Sequence, residues 1–253
     1  KMMSTESDIQ ADIISVETAK TLDGLFAARV QRTPHKEAYR YFNPITEQWN
    51  SHTWAQMYRF IARWQAAIER ESLAPGDRVA VMLPNTPPMV EAHFGIPMAG
   101  AVLNTLNTRL DPEAIAFMLD HGEAKAVIVD PEFSGTMAKA LALRTAATPL
   151  PVIEVQDALY GPAVQSLGGT DYDAFVASGD AAFAWSLPAD EWDAIALNYT
   201  SGTTGNPKGV VYHHRGAATN AISNVLEWDM PKHAVYLWTL PMFHCNGWGF
   251  PWT

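Results

Sequence analysis

The chain has 253 residues, of which 48% are hydrophobic and 17% charged, the latter below the roughly 25% typical of soluble domains. That composition excludes a disordered chain and supplies ample material for a buried core. Its 17 Lys plus Arg against 27 Asp plus Glu give a formal charge of -10, which argues against a duplex-tracking surface and so against a nucleic-acid partner.

Residues 1–20 open with Lys1-Met2-Met3-Ser4-Thr5-Glu6-Ser7-Asp8, polar and acidic, and read as a tail without the apolar core of a signal peptide. No apolar run approaches the ~20 residues needed to span a bilayer. Cys245 is the one cysteine, so an intrachain disulfide is excluded and a reducing compartment, the cytoplasm, is expected. Next, Ala38–Phe42 and Gln48–Thr53 flank Asn43-Pro44 and predict a hairpin. Trp54, Met57, Tyr58, Ile61, Trp64 and Ile68 recur every three or four residues, the stripe of an amphipathic helix.

From there the chain alternates. Arg78–Leu83 is a short apolar strand, and Pro84–Pro88 is a loop opening a helix through Met89–Phe94. Asp111-Pro112-Glu113 starts a helix that Gly122 stops, followed by a strand at Ala126–Val129. A helix over 134–144, a strand over 151–155, a short helix near Tyr172–Val176 and a strand over Ala194–Tyr199 complete the series. Continuous apolar strands alternating with helices predict an α/β fold with a largely parallel sheet covered on both faces. The stretch 160–180, rich in Gly, Ser and Asp, is expected to be a surface excursion, and Ala234–Leu240 a further strand. The sequence ends at Gly249-Phe250-Pro251-Trp252-Thr253 without a polar tail and reads as a fragment of a longer protein.

The most informative segment is Tyr199-Thr200-Ser201-Gly202-Thr203-Thr204-Gly205-Asn206-Pro207-Lys208-Gly209-Val210, after a strand and before a helix beginning near His214. Gly202, Gly205 and Gly209 allow amides to approach an anion closely, the Thr and Ser hydroxyls add donors, and Lys208 adds a compact positive charge. These residue types in this order make a polyphosphate cradle. It is not a Walker loop, since Pro207 precedes Lys208 and Gly209 follows it. A flexible Ser/Thr/Gly turn is the plain alternative.

This string resembles the phosphate-loop signature of the adenylate-forming, or AMP-binding, superfamily, which includes acyl-CoA synthetases, luciferases and the adenylation domains of peptide synthetases. Pro84-Asn85, the run Gly100–Leu110 and Leu240-Pro241-Met242-Phe243-His244 resemble other segments of that family, so the likeness extends from about Leu22 onward. It implies the N-terminal part of the large domain, incomplete over 21–253 and lacking the C-terminal portion. The implied reaction activates a carboxylic acid with ATP, releases pyrophosphate and passes the acyl group to a thiol such as coenzyme A.

The resemblance also implies roles. Thr200 would help bind Mg2+, and Thr203, Thr204 and Lys208 would contact the β and γ phosphates, with Ser201, Gly202 and Gly205 in the same cradle. His244 would sit at the acyl pocket beside the reacting carboxyl group, and a neutral imidazole there can donate a hydrogen bond without fixed charge. His244 and Lys208 are thus the catalytic candidates, and Trp248 is the pocket candidate among Trp238, Phe243, Trp248 and Phe250. Amino-acid-activating relatives place Asp after the aromatic residue, whereas His244 offers a substrate ammonium no counter-charge, so an uncharged organic acid is favoured. The run 243–248 resembles synthetases of short to medium acids, including those acting on methylthio-propionate.

Other readings of the same residues are weaker. Adjacent residues in an extended segment point to opposite faces, so His244 and Cys245 do not readily form a nucleophile pair, and His213, His214, His244 and Cys245 lack zinc spacing. The second magnesium ligand, the ribose-binding Asp and the adenylation Lys of the resembled family belong to motifs beyond these residues. The chain alone is therefore expected not to form acyl-adenylate, and its partners are expected to be ATP, coenzyme A, a small acid and the remainder of its own chain, with a homodimer open. An adenylate-forming enzyme with another acceptor or an oxidative step, and a truncated binding protein, stand as alternatives.

Overall fold

A computed structural model of the protein describes residues 13–157, 160, 164–184 and 186–253. A short helix α1 (Val16–Ala19) and helix α2 (Leu22–Arg32) lead into an antiparallel hairpin, β1 (Glu37–Asn43) and β2 (Gln48–Thr53). Helix α3 (Trp54–Arg70) follows directly. Its first turn is closed reciprocally: Thr53 Oγ1 accepts from the Gln56 amide at 3.2 Å, and Gln56 Oε1 accepts from the Thr53 amide at 2.8 Å. Its predicted stripe is its buried face, with Met57, Ile61, Trp64 and Ile68 all interior.

The main sheet has the order β7-β6-β5-β3-β4-β8-β9, from β3 (Arg78–Met82), β4 (Val102–Thr105), β5 (Ala124–Val129), β6 (Val152–Glu154), β7 (Thr170–Asp171), β8 (Ala194–Tyr199) and β9 (Gly209–His213). Every neighbouring pair is parallel except β8 and β9. Helices α4 (Pro87–Met98), α5 (Pro112–His121), α6 (Ser134–Leu143), α7 (Tyr172–Ala177) and α8 (His214–Glu227) complete the fold. Side chains alternate across the central strands. Val79, Val81 and Ile128 pack with Trp64, Met89 and Ile96 on one face, while Ala80, Met82, Val127 and Val129 pack with Ile115, Leu119 and Met137 on the other. Burial on both faces is why these strands read as unbroken apolar runs.

Asp111 caps α5 through its Ala114 amide at 2.8 Å, with Pro112 at the first position. Gly122 ends that helix, but for a reason of space. Its own φ is -77°, the left-handed residue is Glu123 at φ 49°, and a Cβ on Gly122 would stand 2.9 Å from the Met118 carbonyl oxygen and 3.0 Å from the Tyr199 hydroxyl.

Three expectations change. Ala234–Leu240 is not a strand: Val235 is 92% exposed and Leu237 78%, and among the described residues no strand pairs with it, so its alternating pattern has no ladder to join. The sequence reading also passed over β9, which is antiparallel and stands between the phosphate loop and α8. The stretch 160–180 is only partly a surface excursion. Residues 161–163 lie outside the described residues, 164–169 are largely exposed, and Tyr172, Phe175 and Val176 are buried, with Tyr172 and Phe175 against Trp64. Among the described residues no helix is long and apolar enough to cross a membrane.

Candidate phosphate and acyl site

In a parallel sheet the C-terminal strand ends share one edge, where open α/β folds bind ligands. Here that edge carries Pro84–Thr86 after β3, Leu106–Leu110 after β4 and the loop 200–208 after β8. The loop is a hairpin connection whose neck is sealed twice: the Thr200 amide donates to the Lys208 carbonyl at 2.9 Å, and the Lys208 amide donates to Thr200 Oγ1 at 3.0 Å. Gly202 stands at φ 69° with its carbonyl accepting from the Gly205 amide at 3.2 Å, and a Cβ there would fall 2.8 Å from the Gly205 oxygen. Ser201, Thr203, Thr204, Gly205 and Lys208 are exposed, leaving hydroxyls, amides and one ammonium open to an anion. At the loop's root, His121 Nδ1 and the Tyr199 hydroxyl lie 2.9 Å apart.

The second part of the site is segment 240–253. Asn85 holds its start, donating through Nδ2 to the Leu240 carbonyl at 2.7 Å and accepting from the Met242 amide through Oδ1 at 2.9 Å. The segment then does something its sequence gave no reason to expect. Cys245, Asn246, Gly247, Trp248 and Gly249 stand at φ 49°, 47°, 57°, 58° and 76°. A left-handed turn of this kind costs about 1–2 kcal/mol for each non-glycine residue. His244 is extended, at φ -89° and ψ 114°, but Cys245 is left-handed, which corrects the premise of the sequence argument on the His-Cys pair. Cys245 Sγ lies 4.0 Å from both ring nitrogens of His244, equidistant and so not aligned with either lone pair as a proton-transfer partner would be.

His244 is exposed and meets Trp248 edge to face, centroids 5.9 Å apart at 88°, so the structure brings these two acyl-pocket candidates together. Trp238 packs beneath the turn, where a Cβ on Gly247 would lie 2.4 Å from its ring, and Phe250 stacks on Tyr236. The stems of the two site parts are joined: Asn198, at the end of β8, donates to Asn246 Oδ1 at 2.7 Å. Thr105 Oγ1, at the end of β4, lies 3.0 Å from both Asn198 Oδ1 and the Phe243 carbonyl. Sequence reasoning gave no role to Asn85, Thr105, Asn198 or Asn246. The available signal was an Asn or Thr inside an apolar strand, as in Ala196-Leu197-Asn198-Tyr199.

The adjacent histidines have structural roles. His213 Nδ1 accepts from the Gly216 amide at 2.9 Å and caps α8, while buried His214 faces Asp23 of α2 at 3.8 Å. Among the described residues no three His, Cys, Asp or Glu side chains gather to hold a metal ion. A cleft of about 420 Å³ lies between β1, β2 and α3, lined by Tyr39, His52, Gln56 and Arg59 among others, and includes none of the candidate site residues.

A mostly parallel sheet whose C-terminal edge carries a hydroxyl- and glycine-rich loop beside an imidazole-bearing turn makes this an α/β protein with a candidate anion-binding edge. Residues 26–253 match the family described as "AMP-binding enzyme", and the chain belongs to that family. It is 48% identical over 212 residues to the peroxisomal acetate/butyrate–CoA ligase AAE7 of Arabidopsis thaliana, covering 80% of this chain and 37% of that protein. It is 43% identical over 212 residues to the peroxisomal trans-cinnamate:CoA ligase of Petunia hybrida, covering 79% and 37%. The N-terminal domain of FACL13 from Mycobacterium tuberculosis, solved with an inhibitor bound, superposes with a TM-score of 0.70 at 26% identity over 92% of this chain and 54% of that one. The chain thus spans little more than a third of the length of the curated relatives it matches.

Proposed function

We propose that residues 21–253 supply the phosphate-binding and part of the acyl-binding machinery of an AMP-forming acid–thiol ligase. The observation that carries this reading is the sealed loop 200–208 at the sheet edge, tied through Asn198 and Asn246 to the turn bearing His244. A carboxylate oxygen attacks the α-phosphorus of ATP, the bond to the β-phosphate bridging oxygen breaks, and pyrophosphate leaves with that electron pair. The thiol of coenzyme A then attacks the acyl carbonyl, AMP departs, and the thiol proton passes to solvent.

Such chemistry needs alignment and charge neutralisation more than covalent help. Ser201, Thr203, Thr204 and Lys208, with the amides of Gly202 and Gly205, would hold the β and γ phosphates. His244 would orient the substrate carboxyl, with Trp248 as a wall of the pocket. Thr200 offers one hydroxyl oxygen, already accepting from the Lys208 amide, which fits a magnesium ion arriving on the triphosphate and keeping waters rather than one held in a protein cage. That ion would neutralise charge on the pyrophosphate.

The His after Phe243 and the relatives named for acetate, butyrate and trans-cinnamate support a small uncharged acid as substrate. A cytoplasmic location is in keeping with the reducing compartment expected for a chain with one cysteine, and the peroxisomal relatives make organelle imaging of the tagged full-length protein its test. Size-exclusion chromatography of that protein tests the homodimer. For the activity, full-length enzyme is incubated with ATP, magnesium, coenzyme A and acids from acetate to octanoate plus cinnamate, with mass spectrometry of products. Acyl-CoA with AMP is the expected result; ATP turnover without thioester would instead favour another acceptor.

A further inference from the structure

Asn246 is fully buried at φ 47° in a left-handed turn that asparagine tolerates but that its neighbours Cys245 and Trp248 adopt only at a cost, and its side-chain amide is bonded at both ends. Its Oδ1 accepts from Asn198 Nδ2 at 2.7 Å, and its Nδ2 lies 3.2 Å from His93 Nε2. His93, also fully buried on α4, has its Nδ1 2.8 Å from the Met89 carbonyl. That carbonyl can only accept, so the His93 proton sits on Nδ1 and Nε2 receives the Asn246 proton. Burial pushes the His93 pKa down to about 4, in keeping with this neutral tautomer. The outer side of the turn is held too: Asn220 and Asn224 of α8 donate to the Trp248 carbonyl at 3.1 and 3.3 Å.

We propose that Asn246 and His93 are positioning residues, which hold the left-handed turn 245–249 so that His244 and Trp248 meet the acid in a fixed geometry. The inference rests on the ligase reading. Strained backbone held by a fully satisfied buried network, beneath an exposed imidazole and indole, is the arrangement expected where geometry matters for function. Neither residue touches substrate. The relay passes from α4 to the turn and on to β8, so loosening it should misplace the acid more than the phosphates held by loop 200–208.

The test uses full-length enzyme and the acid that serves best in a panel from acetate to octanoate. With Asn246→Ala, kcat/KM for the acid should fall about tenfold or more, the size expected for losing buried hydrogen bonds, while the KM for ATP stays within about twofold. Asn246→Asp supplies a second, pH-dependent readout. An ionised carboxylate can accept from Asn198 but cannot donate to His93 Nε2, whereas protonation of either partner restores a proton between them. Its acid-specific defect should therefore shrink as pH falls from 8 to 6, relative to the parent at each pH, and the Asn246→Ala defect should not.

Equal losses toward acid and ATP, or no loss, would overturn the proposal, as would an Asn246→Asp defect that ignores pH. Should Asn246→Ala not fold, the pH profile of Asn246→Asp decides alone. A parent enzyme that makes no acyl-CoA from any acid would instead remove the ligase reading on which the inference stands.

Discussion

The central strands and the site-bearing region from Asn198 onward are built by different means. In β3 and β5 the positions from Val79 to Met82 and from Ala126 to Val129 are all buried, and each of these side chains has apolar partners on one face of the sheet or the other. In the second region apolar side chains are often exposed, among them Val211, Leu226, Trp228, Val235 and Leu237. There the chain is held by polar side chains bonded to backbone or to one another: Asn85 on 240–242, Asn198 on Asn246, and Asn220 and Asn224 on Trp248. Apolar packing is non-directional and tolerates some rearrangement, whereas an amide pair fixes an orientation. A region that must present loops in one geometry gains from the second device.

The comparison breaks most visibly if a core change spares stability. Trp64 is 1% exposed, donates to the Tyr172 hydroxyl at 3.2 Å and lies where a Cβ on Gly95 would come within 2.7 Å of its ring. Trp64→Ala should cost about 3–5 kcal/mol in denaturant unfolding, through the cavity and the lost partner of Tyr172. Lys208→Ala should do the reverse. Exposed and outside any core contact, it should shift stability by no more than about 0.5 kcal/mol while weakening ATP use roughly 10- to 100-fold in steady-state kinetics of the full-length enzyme. A Lys208→Ala enzyme with unchanged ATP kinetics would remove that residue from the phosphate site.

This difference also governs what could be read from the sequence. The stripe Trp54 to Ile68, the run Arg78–Leu83 and the cap at Asp111 carry a period or a cap with one physical meaning, and each appears where expected. The loop 200–208 was legible because glycines, hydroxyls and Lys208 cluster in one stretch. What escaped was long-range and polar. Nothing local in Asn246 shows that His93, 153 positions earlier, receives its proton, or that the run 245–249 turns left-handed. Val235 and Leu237 misled for the converse reason, since alternation specifies a strand only where a neighbouring strand offers a ladder.

Asp23 and His214 sharpen the contrast with a smaller effect, because they place a polar pair in the packed seam where α2 meets α8 of the second region. The two face each other at 3.8 Å between α2 and α8, both nearly unexposed, and Asp23 Oδ1 and His214 Nδ1 have no hydrogen-bond partner among the described residues. Burial raises Asp23 to about 7 and lowers His214 to about 4. The folded pair then holds one proton between about pH 4 and 6.5, on the aspartic acid. The unfolded chain also holds one there, on the histidine. Proton uptake on unfolding is near zero, so the intact pair adds little pH dependence across that window.

Removing one partner exposes the other. In His214→Asn the folded chain keeps the Asp23 proton up to about pH 7 while the unfolded chain loses it near 3.8, so relative to the parent, stability should fall as pH rises between them. In Asp23→Asn the unfolded chain binds a proton below 6.5 that the folded His214 refuses down to about 4, so relative stability should rise with pH over that range. Each slope should approach, at most, about 1.4 kcal/mol per pH unit. Urea unfolding of both variants from pH 4.5 to 7 checks the signs. Slopes near zero in both variants would mean that the two groups titrate independently of their burial, and that a polar pair in the packed layer is no different from one at the surface.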